Sequence, residues 1–302
     1  MKSIDVVTFN IHSAIGRGGI ANVSRIAEVV AQADIVALQE VDNFWDRSGN
    51  VSQVELLRQA LPEHYSAWHP SIDLHKSPAG RRQFGNLLFS RFPLLSIKRH
   101  TLPKTVQHDR LGLQCGVLEA VVAAPFGDVR VFATHILTSD KAVQIQRLVE
   151  ISAVSLQEGP PVSGTHDDAT WFEEPRQIAV PAASIVLGDL NIRPGSDEYE
   201  LLKSGWASKA STLEGAGLVD AWLAANPDKT PSIATERSHD LGATYYTNFA
   251  DRVGERIDYC FTSADLTERI LSAHVLVDID ASDHQPLLVK LNAESTNRAV
   301  QR

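Results

Sequence analysis

The sequence predicts an α/β fold with mixed sheets, built as one large domain. Two observations carry that prediction. Short apolar strands alternate with amphipathic helical stretches along most of the chain. Some of the strands are joined by tight turns and others are separated by helices, which mixes antiparallel with parallel pairing. The 302 residues, 43% hydrophobic and 22% charged, are enough to bury such a core without staples.

In chain order, Ile4 to Asn10 reads as a first strand. Val23, Ile26, Val29, Val30 and Ala33 then recur at helical spacing. Ile35 to Gln39 is a nearly continuous apolar run, the pattern of a buried strand. Leu56, Leu57 and Leu61 mark a second helix. Asn86 to Phe89, Leu113 to Ala123 and Val129 to Thr134 read as strands, the last two forming a hairpin turned at Gly127-Asp128. Ser139 is the expected N-cap of a helix reaching about Gln157, with Val143, Leu148, Ile151 and Val154 on its apolar face. Residues 158–182, with four prolines and two glycines, break the pattern and are expected to be a mobile surface insertion. Strands resume at Ser184 to Leu187, Arg256 to Thr262, His274 to Asp278 and Leu287 to Leu291. The polar tail after Asn292 is expected to fray.

Composition narrows the function. No signal peptide is visible: Asp5 interrupts the first apolar run, which ends in Asn10. No stretch approaches a membrane span of about 18 apolar residues. Cys115 and Cys260 sit in apolar runs and read as buried, unlinked thiols of a reducing compartment, so a cytoplasmic location is expected. The net charge of −9 argues against tight non-specific binding to nucleic acid. Locally the sign reverses. From His75 to Arg110 eight Lys or Arg accompany one acid, Asp109, giving +7 there and −16 elsewhere. Such a stretch could hold an anionic substrate, unless its charges point in several directions.

Polar residues collect at the strand ends. Asn10, Glu40, His135, Asp189 with Asn191, Asp258, and Asp283 with His284 all sit where an apolar strand ends or begins. Glu40 and Asp283 are hard oxygen ligands suited to Mg²⁺ or Mn²⁺ rather than zinc, for which no His or Cys cluster is present at ligand spacing. Asp189 and Asn191 are two apart, and on a strand both would share one face. One could act on a water while the other binds a substrate oxygen. Asp283 and His284 would point to opposite faces of a regular strand, so joint action requires a loop, which Pro286 makes plausible. A histidine needs an acceptor to fix its tautomer, and Asp258 is the candidate partner of His284. Singly, each of these residues would be an ordinary turn, cap or surface residue.

Together they resemble the endonuclease/exonuclease/phosphatase family, whose type is deoxyribonuclease I. The motifs run in order over nearly the whole chain: Thr8-Phe9-Asn10, Leu38-Gln39-Glu40-Val41, Phe84-Gly85-Asn86, Ala133-Thr134-His135, Gly188-Asp189-Leu190-Asn191, Arg256-Ile257-Asp258-Tyr259 and Ser282-Asp283-His284. The resemblance implies a four-layer α/β sandwich of two packed mixed sheets flanked by helices, as a catalytic domain over residues 1–292 followed by the tail 293–302. It implies Mg²⁺ or Mn²⁺ held by Glu40, with Asn10 beside it and Asp283 contributing. It implies His135, Asp189, Asn191, Asp258 and His284 as catalytic residues, and Arg110, Asn86 and Asn191 as substrate-binding ones. Asp220 also matches a family position; for it and Asn86 a structural role is the alternative. His12 and Asp42 complete the look of small, single-domain bacterial members. The expected partner is a phosphate-ester substrate, nucleic acid included, without membrane insertion or an implied protein partner. A phosphodiesterase or nuclease ranks first and a small-molecule phosphomonoesterase second. A non-catalytic binding protein on the same scaffold ranks last, because the Glu40, Asp189 and His284 positions are all filled.

Overall fold

Strands with a period of two sort their side chains into two faces, and here both faces are apolar, so each sheet must be covered on both sides. The computed structural model describes residues 2–76, 80–109, 111–162, 179–207, 217–229, 242–248 and 253–294. In chain order the elements are β1 (Ser3–Asn10), α1 (Val23–Val30), β2 (Ile35–Asn43), α2 (Gln53–Ala60), β3 (Tyr65–His75), β4 (Arg81–Ser90), β5 (Leu94–Thr101), β6 (Gly116–Ala124), β7 (Gly127–His135) and α3 (Lys141–Glu158). There follow β8 (Ser184–Asp189), α4 (Asp197–Gly205), β9 (Leu218–Asp220), α5 (Ala221–Ala225), β10 (Tyr245–Asn248), β11 (Val253–Glu255), β12 (Asp258–Ser263), β13 (Ile270–Val275) and β14 (Leu287–Asn292).

Two six-stranded sheets result, in the orders β13-β14-β1-β2-β4-β3 and β5-β6-β7-β8-β12-β9. Each has one parallel pair, β1 with β2 and β7 with β8; their other pairings are antiparallel. The parallel pairs are the ones bridged by helices, α1 in the first sheet and α3 in the second, as parallel strands require. The sheets pack face to face over a core that includes Val6, Ala37, Leu88, Val131, Leu187, Cys260 and Val289. On the outer face of the first sheet, Phe9, Leu38 and Phe89 meet Ile26 of α1 and Leu57 of α2. On the outer face of the second, Phe132, Val186 and Phe261 meet Leu148 of α3 and Leu202 of α4. The fold is therefore the four-layer α/β sandwich.

Several local expectations shift. The β6–β7 turn is Pro125-Phe126, while Gly127 and Asp128 already pair with Ala124 and Ala123. Helix α3 is preceded by Asp140 rather than Ser139, and no side chain caps it. Its buried face is also rotated. Gln144, Ile145, Leu148, Ile151, Ser152 and Ser155 point inward, and Val143 and Val154 are exposed. The reason lies beneath the helix, where Glu119 and Arg130 are buried in the sheet and draw on polar partners. Ser155 donates to Glu119 at 2.5 Å, and Arg130 donates to the Ser152 carbonyl at 3.1 Å. The predicted strand at His274 to Asp278 is β13, which ends at Val275, and the strand predicted from Arg256 starts at Asp258.

The basic stretch does not form one patch. Its cations are spread over both sheets and largely paired: Lys76 with Asp46, Arg81 with Asp73, Lys98 with Glu158, and Arg99 with the Trp68 carbonyl. Cys115 and Cys260 are buried and unlinked, as expected. Most of the expected insertion at 158–182 lies outside the described residues, as does Arg110. Among the described residues no helix is long and apolar enough to cross a membrane.

Candidate active site

The face of these strands that looks toward the opposite sheet is largely apolar up to the position that enters the site. Val6 and Thr8 lead to Asn10, Val131 and Ala133 to His135, and Ile185 and Leu187 to Asp189. Asp258 precedes Cys260 and Asn86 precedes Leu88 in the same way. The site is thus the polar end of the inter-sheet core, set at the carboxyl ends of the four parallel strands, where α/β sheets bind ligands.

Glu40 breaks this parity and is corrected by the backbone. Ile35, Ala37 and Gln39 face the other sheet, and Glu40 would face away. The β2–β4 register instead shifts between Leu38 and Val41, and Glu40 has φ 60°. This bulge turns the carboxylate into the site. A non-glycine residue in the left-handed region costs roughly 1 kcal/mol or more, a strain that functional sites tolerate. Asn191 shows the same device at φ 50°. It lies past the end of β8, so its proximity to Asp189 comes from a turn and not from strand alternation: the Asn191 amide N–H donates to Asp189 Oδ1 at 3.0 Å. Gly188 permits this arrangement, because a Cβ there would lie 1.9 Å from the Thr134 carbonyl oxygen.

The groups converge on Asp189. Asn10 Nδ2 donates to Glu40 Oε1 and to Asp189 Oδ2, both at 3.0 Å, and so ties one sheet to the other. His135 Nε2 and His284 Nε2 each lie 3.7 Å from Asp189 Oδ2, and His135 Nε2 is 3.9 Å from Glu40 Oε1. Asn191 Nδ2 is 3.5 Å from His135 Nε2 and donates to the Ile136 carbonyl at 2.9 Å. His284 Nδ1 is 2.8 Å from Asp258 Oδ2. Asp283 and His284 sit on the irregular segment before β14, as their joint presence required. Ser282 anchors that segment by donating to the Asn10 carbonyl at 2.8 Å.

Electrostatics follow from burial and neighbours. Burial, then the Asp258 carboxylate, pushes Asp189 up to about 6, against the pull of both histidines and Asn10. Burial alone would lower His284, but the charge and hydrogen bond of Asp258, then Asp189 and Asp283, push it up to about 10. Burial would raise Glu40, yet His135, Asn10, His284 and His12 together hold it below the usual carboxylate range. Buried acids at this density call for a cation. Glu40, His135 and Asp189 offer ligand atoms within 4.8 Å of one another, and so do Asp189, Asp258 and His284. The second Asp258 oxygen is buried without a partner among the described residues. Carboxylate oxygens with an imidazole are a donor set for a divalent cation. Asn10 turns its amide nitrogen, not its oxygen, toward the carboxylates. Asp283 belongs to neither group. It is half-buried and faces His12 at 3.4 Å.

Asn86 donates to the Gly116 carbonyl at 3.0 Å, and its oxygen is buried without a partner among the described residues. It lines a small cleft together with Glu40, Phe84, Cys115 and His135. Asp220 plays a structural part, accepting from Arg256 at 2.6 Å and from the Tyr199 hydroxyl at 2.9 Å. Two neighbours of the site went unread in the sequence. Thr244 Oγ1 accepts from the Asp258 amide at 3.1 Å, and the Tyr245 ring lies 4.9 Å from that of His284. No motif marks either one; only the fold brings β10 beside His284.

The family model for the endonuclease/exonuclease/phosphatase family matches residues 7–284. The chain belongs to that family. Its members are phosphoester hydrolases. Among solved structures, the chain is similar to an endonuclease/exonuclease/phosphatase from Beutenbergia cavernae, at 24% identity and TM-score 0.62, covering 97% of this chain and 72% of that one. It is also similar to the human nocturnin catalytic domain with bound sulfate, at 18% identity and TM-score 0.59, covering 97% and 95%. A mannosyl-6-phosphatase from Bacteroides thetaiotaomicron matches at 17% identity and TM-score 0.58, covering 96% and 98%. At these identities the likeness speaks to the fold. No curated protein matches the chain.

Proposed function

We propose that the chain is a divalent-metal-dependent phosphoester hydrolase acting first on phosphodiesters, nucleic acid among them. The observation that carries this reading is a buried carboxylate, Asp189, flanked by two histidine Nε2 atoms 3.7 Å away and joined through Asn10 to Glu40. Phosphoryl transfer needs a positioned water, neutralised non-bridging oxygens and help for the leaving oxygen. Glu40 would hold Mg²⁺ or Mn²⁺, joined by Asn10 if its amide turned its oxygen inward and by Asp283 if it left His12, and the ion would neutralise charge on the phosphate.

The chain's own groups supply the rest. Asp189 Oδ2 orients the attacking water and takes its proton. His284, fixed by Asp258 through Nδ1, turns Nε2 toward the phosphate oxygens. Asn191 and the free oxygen side of Asn86 bind substrate on either side, and Arg110 is assigned to the phosphate as well. His135 serves the leaving oxygen. The name of the mannosyl-6-phosphatase supports a second reading, a small-molecule phosphomonoesterase.

The test uses metal-stripped protein with bis-p-nitrophenyl phosphate and p-nitrophenyl phosphate, returning Mg²⁺, Mn²⁺ or Ca²⁺, with Glu40→Ala alongside. Diester hydrolysis that needs Mg²⁺ or Mn²⁺ and disappears in the variant is expected. Preference for the monoester moves the second reading to first place. Metal-independent hydrolysis, or hydrolysis that survives in Glu40→Ala, contradicts both.

A further inference from the structure

Alternate residues of β4 lead out of the cleft along one face. Asn86 is buried at its floor, Phe84 forms its wall, and Arg82 comes next, about 13 Å from Asn86 along the strand. The segment after β2 folds over the same edge. Trp45 is pinned by its indole N–H, which donates to the Gln83 carbonyl at 2.7 Å. The Arg47 guanidinium carbon lies 4.8 Å from the Trp45 ring and 5.3 Å from the Phe84 ring, and that of Arg82 lies 5.4 Å from Trp45. Two arginines and two aromatic rings thus form a ladder that ends on the wall of the cleft.

Pairing does not exhaust the charge of this ladder. Arg47 gives Nε and Nη2 to the fully buried Asp42, at 2.9 and 2.8 Å. Its third nitrogen, Nη1, has no hydrogen bond among the described residues, and 45% of the side chain is exposed. Arg47 is also close enough to Glu40 to be influenced by its charge. Arg82 has neither hydrogen bond nor ion pair among the described residues. The nearby acid, Asp46, is taken by Lys76 at 2.8 Å. Stacking holds both guanidinium groups with little rotamer freedom left to lose, and a fixed fork is the geometry that binds phosphate.

We propose that Arg47 and Arg82, stacked on Trp45, form an anion subsite at the edge of the cleft that takes a second phosphate of the substrate, beyond the one hydrolysed. This rests on the reading of the cleft as a phosphoester site. It assigns a use to Asp42 as well, which holds Arg47 in place from below. Substrates bearing two or more phosphates, whether nucleotides or strands of nucleic acid, are preferred over those bearing one.

Binding tests the subsite without requiring turnover. Adenosine 3′,5′-bisphosphate and adenosine 5′-monophosphate are titrated calorimetrically into the wild-type protein with Mg²⁺, into Arg82→Gln, and into Arg47→Lys, which keeps a cation beside Asp42. Matching melting temperatures show that the variants are folded. The wild type is expected to prefer the bisphosphate by about tenfold, with either variant losing most of that preference. Its dependence of log Kd on log salt should also be steeper by about one than that of Arg82→Gln. Equal affinity for the two nucleotides, or a preference kept by both variants, overturns the subsite. If the bisphosphate is preferred and no phosphoester is hydrolysed, the subsite stands and the hydrolase reading fails. If esters are hydrolysed without that preference, the reverse holds.

Discussion

His69 shows how strongly this interior penalises a charge. It is buried in β3 and packs against Gly116, where a Cβ would come within 2.4 Å of its ring. Burial, then the positive charge of Arg99, lowers it to about 4 despite a hydrogen bond to the Val117 backbone. Its Nδ1 has no hydrogen-bond partner among the described residues. Free in the unfolded chain it would titrate near 6.5, so between pH 6.5 and 4 the unfolded state binds more protons than the folded one. Stability from this group is therefore complete above about 6.5 and is lost as pH falls through that window, by up to roughly 3 kcal/mol. Urea unfolding at pH 7 and pH 4.5 should show the wild type losing stability relative to His69→Gln. A constant difference between the two proteins would contradict the assignment. Neither this burial nor the bulge at Glu40 was legible in the sequence. A histidine in an alternating strand has no mark of depth, and a one-residue register shift is set by partners far away in the chain.

At the scale of elements, the strand ends were legible and their geometry was not. Asn10, His135 and Asp189 could be placed because each ends a run with a clear period. Asp189 and Asn191 were brought together by another route than the one expected, because the strand stops at Asp189. Helix α3 was found, but its inward face was misjudged, since the helix buries serines over Glu119 and Arg130 instead of the more apolar Val143 and Val154. Strands β3, β5, β10 and β11 carried too little alternation to be read. The contact between β7 and β8 gives this scale its prediction. Gly188→Ala must push β8 away from Thr134 and carry Asp189 with it. The variant should unfold about 2 kcal/mol more easily, on the scale of backbone clashes, and lose turnover besides. An unchanged urea midpoint would show that the two strands can part without cost.

For the molecule as a whole, the candidate active site exists only because two sheets meet. Asp189 and Asp258 come from the second sheet, Asn10 and Glu40 from the first, and His284 from the segment leading into β14 of the first. The layers themselves could be expected from the family motifs; alternation alone gave only an α/β domain. The most direct measurement is the turnover of bis-p-nitrophenyl phosphate with saturating Mg²⁺ or Mn²⁺ by the wild type, Asp189→Ala and His284→Ala, each confirmed as folded by its melting curve. Both variants should fall by about 100-fold or more, the loss expected for an acid–base group. Wild-type rates in two folded variants would contradict the site.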